Sequence, residues 1–161
     1  RDNRETECFG VDISPSGLIS AINSSREPDI LQLIDDYSTP IPRSNKGPID
    51  INLYIASGEE LPFADNSFDL TYTVATLEQM KAVKRKAVRE LVRVTRKNVV
   101  LFEPWHDYNL DKNNRNYIRQ KRYFDLKIKD LKSLGLKVIS ENGDLPSKLN
   151  YCIGAVVTEI V

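Results

Sequence analysis

Residues 7–18 read ECFGVDISPSGL, an apolar run that ends near an acid and passes at once into Ser-Pro. The run from Glu7 to Ile13 has the composition of a buried strand. Ser14 is a good helix N-cap. Pro15 suits the first helical position, because its φ is already helical and that N–H would have no intrahelical partner. Leu18, Ile19 and Ile22 share one helical face, which predicts a short helix over 15–25. A strand, a tight turn and a helix with no long loop make a βα unit.

Working outward, the same alternation continues. Asp29 to Tyr37 (DILQLIDDY) suits a helix, and Pro40, Pro42, Gly47 and Pro48 break any regular element after it. Strands are expected at 50–56 (DINLYIA) and 68–73 (FDLTYT), with a loop between them. A helix is expected over 77–96, where Ala87, Val88, Leu91, Val92 and Thr95 share a face among many basic residues. NVVLF (98–102) is apolar after its first residue, as central parallel strands are, and stops at Glu103-Pro104. Residues 105–121 show no clear period. A helix over 123–134 closes on Gly135 as C-cap, followed by strands at 136–140 and 151–161 around a turn at 142–147. Strands alternating with helices indicate an α/β sandwich around a mostly parallel sheet.

The bulk numbers bound this reading. The chain of 161 residues has room for one cored domain, and 40% apolar with 29% charged residues is ordinary for a soluble globular protein. No apolar run approaches the ~20 residues of a membrane span, and RDNRETE at the start is no signal peptide, so no membrane is expected. Cys8 and Cys152 read as thiols of a reducing cytoplasm. With His106 the only histidine, a zinc site is not expected. Net charge is zero, yet residues 1–70 hold 5 basic and 13 acidic side chains while 71–161 hold 18 and 10. That asymmetry permits an anionic substrate near the C-terminal half.

Open α/β sheets bind ligands beyond the carboxyl ends of their strands. Four places qualify: Asp12-Ile13-Ser14, Ser57-Gly58-Glu59, Thr73-Val74-Ala75, and Glu103 onward. An acid at a strand end suits ribose hydroxyls, since a carboxylate accepts two hydroxyl hydrogen bonds at once. It equally suits the positive end of a helix dipole, and spacing alone does not separate the two for Asp12.

GVDISPSGL (10–18), SGEELPFADNSFDL (57–70), LEQM (77–80) and RELVRVTRKNVVLFEP (89–104) resemble, in order and spacing, the type 11 family of class I S-adenosylmethionine-dependent methyltransferases. ELPFADNSFDL is the most specific stretch. The resemblance implies a Rossmann-like three-layer sandwich, its last strand antiparallel, with S-adenosyl-L-methionine as cofactor and 1–161 as a single domain. It implies that Asp12 binds the ribose hydroxyls and Ile13 covers one adenine face. Ser57 stands where the family usually has an aspartate accepting from the adenine amino group. Gly58 would offer its N–H to the adenine ring, and Thr73 and Val74 would line the methionine part. Leu77 and Met80 would pack the next helix. Gln79 stands where many relatives have histidine, so no base is expected there.

One family feature is missing. Members open with a strand that runs into a loop of the type D/E-x-G-x-G-x-G, lying between the strands at 7–13 and 68–73. Glycines here fall at 10, 17, 47, 58, 135, 143 and 154, no two closer than seven residues. The domain is therefore expected to be N-terminally incomplete. The strand is expected from a segment before Arg1; otherwise the sheet closes over the gap, or another segment or chain supplies it.

On the substrate side, EPWHDYNLDKNNRNYIRQKRYF (103–124) follows the fourth strand. Trp105, Tyr108 and Tyr117 would form an apolar wall. His106 has the unperturbed pKa of a base, or is an exposed loop histidine. Glu103 orients substrate or caps the strand end. Lys112, Arg115, Arg119, Lys121 and Arg122 suit a phosphorylated or RNA acceptor, or a solvated face. The basic helix at 81–97 is expected to be solvated. The leading expectation is methyl transfer to a small molecule, a saccharide or a lipid. RNA methylation and a non-catalytic binding module are the alternatives, and nucleic acid is not favoured.

Overall fold

The computed structural model describes residues 6–24, 51–107, 112–121, 124–143 and 153–161. The helix expected at 29–37, Tyr108, Arg122, Cys152 and most of the 142–147 turn lie outside the described residues. The chain forms two compact units, Arg1–Gly58 and Glu59–Val161.

In the first unit, β1 (Cys8–Asp12) pairs in parallel with β2 (Ile51–Ile55), with Asp12 opposite Ile55. Helix α1 (Pro15–Ser24) starts where Ser14 and Pro15 predict. The Gly17 N–H donates to Ser14 Oγ at 3.3 Å, the N-cap bond that satisfies a donor the helix itself cannot. Phe9 and Tyr54 stack across the strand pair at 6.3 Å between ring centroids.

The second unit is built on a four-stranded sheet in the order β3-β4-β6-β5, comprising β3 (Phe68–Val74), β4 (Thr95–Glu103), β5 (Leu136–Asn142) and β6 (Gly154–Ile160). The β3–β4 pair is parallel, and β6 runs antiparallel to both its neighbours. The expected mixed sheet with an antiparallel last strand is what forms. Among the described residues β1 is hydrogen-bonded to β2, and β3 to β4.

One face of the four-stranded sheet carries the core. Val99, Leu101 and Val156 pack with Ala87 and Val88 of α2 (Lys84–Val94), and with Trp105, Ile118, Phe124, Leu131 and Leu134, all buried. Thr158 donates from its buried hydroxyl to Val99 O at 2.8 Å, so a polar side chain is satisfied inside that core.

Three expected elements are revised. The helix over 77–96 is helical only over Lys84–Val94. Residues 76–83 make tight i→i+3 turns instead, such as Gln79 N–H to Thr76 O at 3.1 Å and Met80 N–H to Leu77 O at 3.1 Å. At the other end Thr95 starts β4, and its Oγ1 donates back to Leu91 O at 2.6 Å. The stretch without period contains helix α3 (Lys112–Lys121), whose one fully buried apolar residue, Ile118, leaves no pattern to read. The helix over 123–134 is a 3-10 helix at Ile128–Leu134. Ile128, Leu131 and Leu134 recur every third residue, the period at which 3-10 side chains eclipse. Gly135 ends it as expected, at φ 91°, where only glycine is unstrained.

Candidate functional site

At the carboxyl end of β1, Asp12 is exposed. One carboxylate oxygen accepts the Ser14 N–H at 2.7 Å. The other oxygen lies against Gly17, where an added Cβ would come within 3.0 Å of it. The βα turn thus fixes one side of the carboxylate, and among the described residues no hydrogen bond occupies Oδ2. Ile13 is 71% exposed, while Ser57 and Gly58 follow β2 in the same unit, half-buried.

The carboxyl end of β3 is built differently. Ala75 is held in the left-handed region at φ 48°, a conformation costing a residue with a Cβ roughly 1 kcal/mol. Its N–H donates to Phe102 O at 2.8 Å. The N–H groups of Thr76 and Leu77 both donate to Glu103 Oε1 at 3.1 Å. Glu103 is fully buried, and among the described residues neither its Oε2 nor the nearby Thr73 Oγ1 has a hydrogen-bond partner. Burial pushes the Glu103 carboxyl above its ordinary value, and the Leu77 N–H pulls it the other way. Of its two sequence readings, the geometry is that of a cap on the strand-end turn. Val74 is half-exposed beside it.

The second unit holds a cleft of about 670 Å³, lined by Lys81, Lys84, His106, Ile118, Arg119, Phe124, Asp125, Leu126 and Lys127. His106 is half-buried on its wall. Trp105 does not form the expected wall. Its ring is fully buried in the core, donates from Nε1 to Leu101 O at 3.4 Å, and meets Phe124 edge-on at 5.1 Å. A ring that large gains more from the core than from solvent, and Phe124 is the aromatic that lines the cleft. Tyr117 is 53% exposed on α3 and is not among the cleft residues.

Residues 2–102 match the family model for the methyltransferase domain. The chain belongs to this family. No curated protein matches it in sequence. Among solved structures it is similar to a S-adenosylmethionine-dependent methyltransferase from Methanosarcina mazei, at 15% identity and TM-score 0.59, with 96% of this chain and 92% of that one covered. A second, from Aquifex aeolicus, has 12% identity and TM-score 0.60 over 99% of this chain and 71% of that one. A third is the methyltransferase solved with the Trm112 methyltransferase activator of Haloferax volcanii, at 12% identity and TM-score 0.54, covering 98% of this chain and 84% of that one. At these identities the likeness is one of fold.

The methyltransferase domain accordingly uses S-adenosylmethionine. The residues present fit the adenosine end of that molecule: an exposed strand-end carboxylate has one oxygen anchored and the other open over a glycine. No glycine-rich loop occurs within these 161 residues to approach the methionine end.

The most family-specific stretch, ELPFADNSFDL, has a structural task that its sequence alone did not disclose. Leu61 N–H donates to Glu90 Oε2 at 2.9 Å, and Arg93 donates to Leu61 O at 3.0 Å, Phe63 O at 2.8 Å and Asp65 Oδ1 at 2.9 Å. Asn66, at φ 56°, donates from its N–H to Arg93 O at 2.9 Å. Arg93 also grips Glu90 and holds that carboxyl below its ordinary value. The signal was there in RELVR: an acid and an arginine three apart on one helix face. The basic helix is therefore not simply solvated. Arg93 clamps a loop, Arg85 pairs with Asp130 at 2.9 Å, and buried Lys84 pairs with Asp125 at 2.6 Å.

Proposed function

We propose that the chain methylates a small molecule, a class that includes saccharides and lipids, and that it works in the cytoplasm. The observation supporting this is the cleft of about 670 Å³ in the second unit, the size of a small-molecule site and lined in part by the chain's only histidine. When bound, S-adenosylmethionine supplies a methyl group on a sulfonium, open to in-line displacement. In this reading Asp12 accepts hydrogen bonds from the ribose hydroxyls and Ile13 covers an adenine face. Ser57 accepts from the adenine amino group, as a neutral acceptor weaker than the usual aspartate. Gly58 donates its N–H to the ring. In the second unit, the backbone of Thr73 and Val74 lines the methionine part, and Glu103 keeps the turn after them in shape. His106 takes a proton on its imidazole when the acceptor must lose one, and the cleft wall orients that acceptor.

Single-turnover methyl transfer to candidate acceptors tests the assignment of His106. His106→Ala is expected to slow transfer about 100-fold or more for an acceptor that loses a proton, with unchanged S-adenosylhomocysteine binding. A rate equal to the parent's removes His106 from the reaction. The cofactor assignment is tested separately by the S-adenosylhomocysteine affinity of Asp12→Ala.

A further inference from the structure

The cleft has an apolar floor and a cationic rim. Ile118, Phe124 and Leu126 are each at most 4% exposed, so they present a packed surface. Of the charged residues around them, Lys84 is committed: its Nζ lies 2.6 Å from Asp125 Oδ1 and 5.2 Å from the centre of the Phe124 ring. That pairing consumes the one carboxylate of the cleft and holds its pKa below the ordinary value. Lys81, Arg119 and Lys127 are exposed at the rim, and among the described residues none has a carboxylate partner. Like charges gathered on the rim of one cleft repel one another, and salt screens such repulsion only over about 10 Å. An anion relieves that repulsion, and arginine adds a planar fork matched to phosphate oxygens.

We infer that the cleft takes a small acceptor carrying a phosphate group, its body within the cleft and its phosphate held by the rim cations Lys81, Arg119 and Lys127. A phosphate ester carries about −1.5 to −2 charges at neutral pH and three acceptor oxygens, which suits several cations better than a single carboxylate would. This inference rests on the proposed methylation of a small molecule and names the class of that molecule.

Calorimetric titration of the full chain with inorganic pyrophosphate tests it. Saturable binding is expected, weakened at least tenfold when Lys81→Ala, Arg119→Ala and Lys127→Ala are combined. All three residues are exposed, so the thermal midpoint should hold, and Lys81→Gln alone should give a partial loss if the triple variant melts early. S-adenosylhomocysteine affinity measured on the same samples reports on the methyltransferase reading independently, because none of the three is placed at the cofactor. Pyrophosphate affinity that is absent in the parent or undiminished in the variants overturns the inference. So does tight, steeply salt-dependent binding of a single-stranded oligonucleotide that pyrophosphate cannot displace, which would make the acceptor RNA.

Discussion

Two strands of this protein end in a carboxylate, β1 in Asp12 and β4 in Glu103, and the two do opposite things. Asp12 is exposed and holds one neighbour, the N–H of Ser14 two residues on. Glu103 is fully buried and holds two N–H groups from residues 26 and 27 positions earlier in the chain. Among the described residues the first carboxylate has one oxygen that accepts no hydrogen bond. The second gives its one partnered oxygen to the fold, closing a turn that contains the strained Ala75. Each stands at the carboxyl end of its own strand; access to water is what differs.

Glu103→Ala should break the comparison most severely. It leaves the part-buried N–H of Thr76 and the buried N–H of Leu77 without an acceptor, and a buried orphan costs about 1–3 kcal/mol. The expected loss is about 2–4 kcal/mol of unfolding free energy, read by denaturant titration. A variant as stable as the parent would show that the turn holds itself.

Asp12→Ala should do the converse. It removes a single exposed hydrogen bond, so stability should fall by less than about 1 kcal/mol. S-adenosylhomocysteine affinity should fall at least tenfold, about 1.4 kcal/mol, by calorimetry. Undiminished affinity would refute the ribose assignment.

These two acids also mark how far the sequence could be read. The βα turn at Asp12 is local, so Ser14 and Pro15 announce it and the helix begins where they say. The strand at 98–102 is equally plain, because a central strand is apolar on both faces. Glu103's partners lie across a strand pair, and no local pattern distinguishes a buried acid from an open one. Trp105 suits a ligand wall on sequence alone for the same reason: its exposure depends on Phe124, nineteen residues later, packing against it. Lys84 looked like part of a solvated basic face until Asp125 was brought to it. What was illegible was long-range, and the site is largely made of long-range contacts.

Glu103→Gln sharpens the comparison by keeping the acceptor and deleting the charge. The folded carboxyl titrates above its ordinary value of 4.5, so the neutral form favours folding. That contribution is complete below pH 4.5 and is lost as pH rises through the raised folded value. The glutamine variant cannot lose it. Parent and variant should therefore melt alike in acid, and the variant should gain on the parent as pH rises to neutral, by calorimetric scanning. A gap that instead widens in acid would mean that the ionised carboxylate is the stabilising form.

The smallest effect expected is at Gly17, and it tests whether the position of Asp12, beyond its charge, matters. Alanine favours a helix over glycine by roughly 0.5–1 kcal/mol, so Gly17→Ala should not weaken the fold. Its Cβ, though, would stand 3.0 Å from Asp12 Oδ2 and 3.1 Å from the carboxyl carbon, so the carboxylate has to move by a few tenths of an ångström. Hydrogen bonds to a diol depend on angle as well as distance. Cofactor affinity should therefore drop about two- to fivefold with no loss of stability. If affinity holds, the carboxylate tolerates displacement and its charge near the helix start is the part that counts. If it falls as far as in Asp12→Ala, the glycine is as much a part of the binding site as the acid it supports.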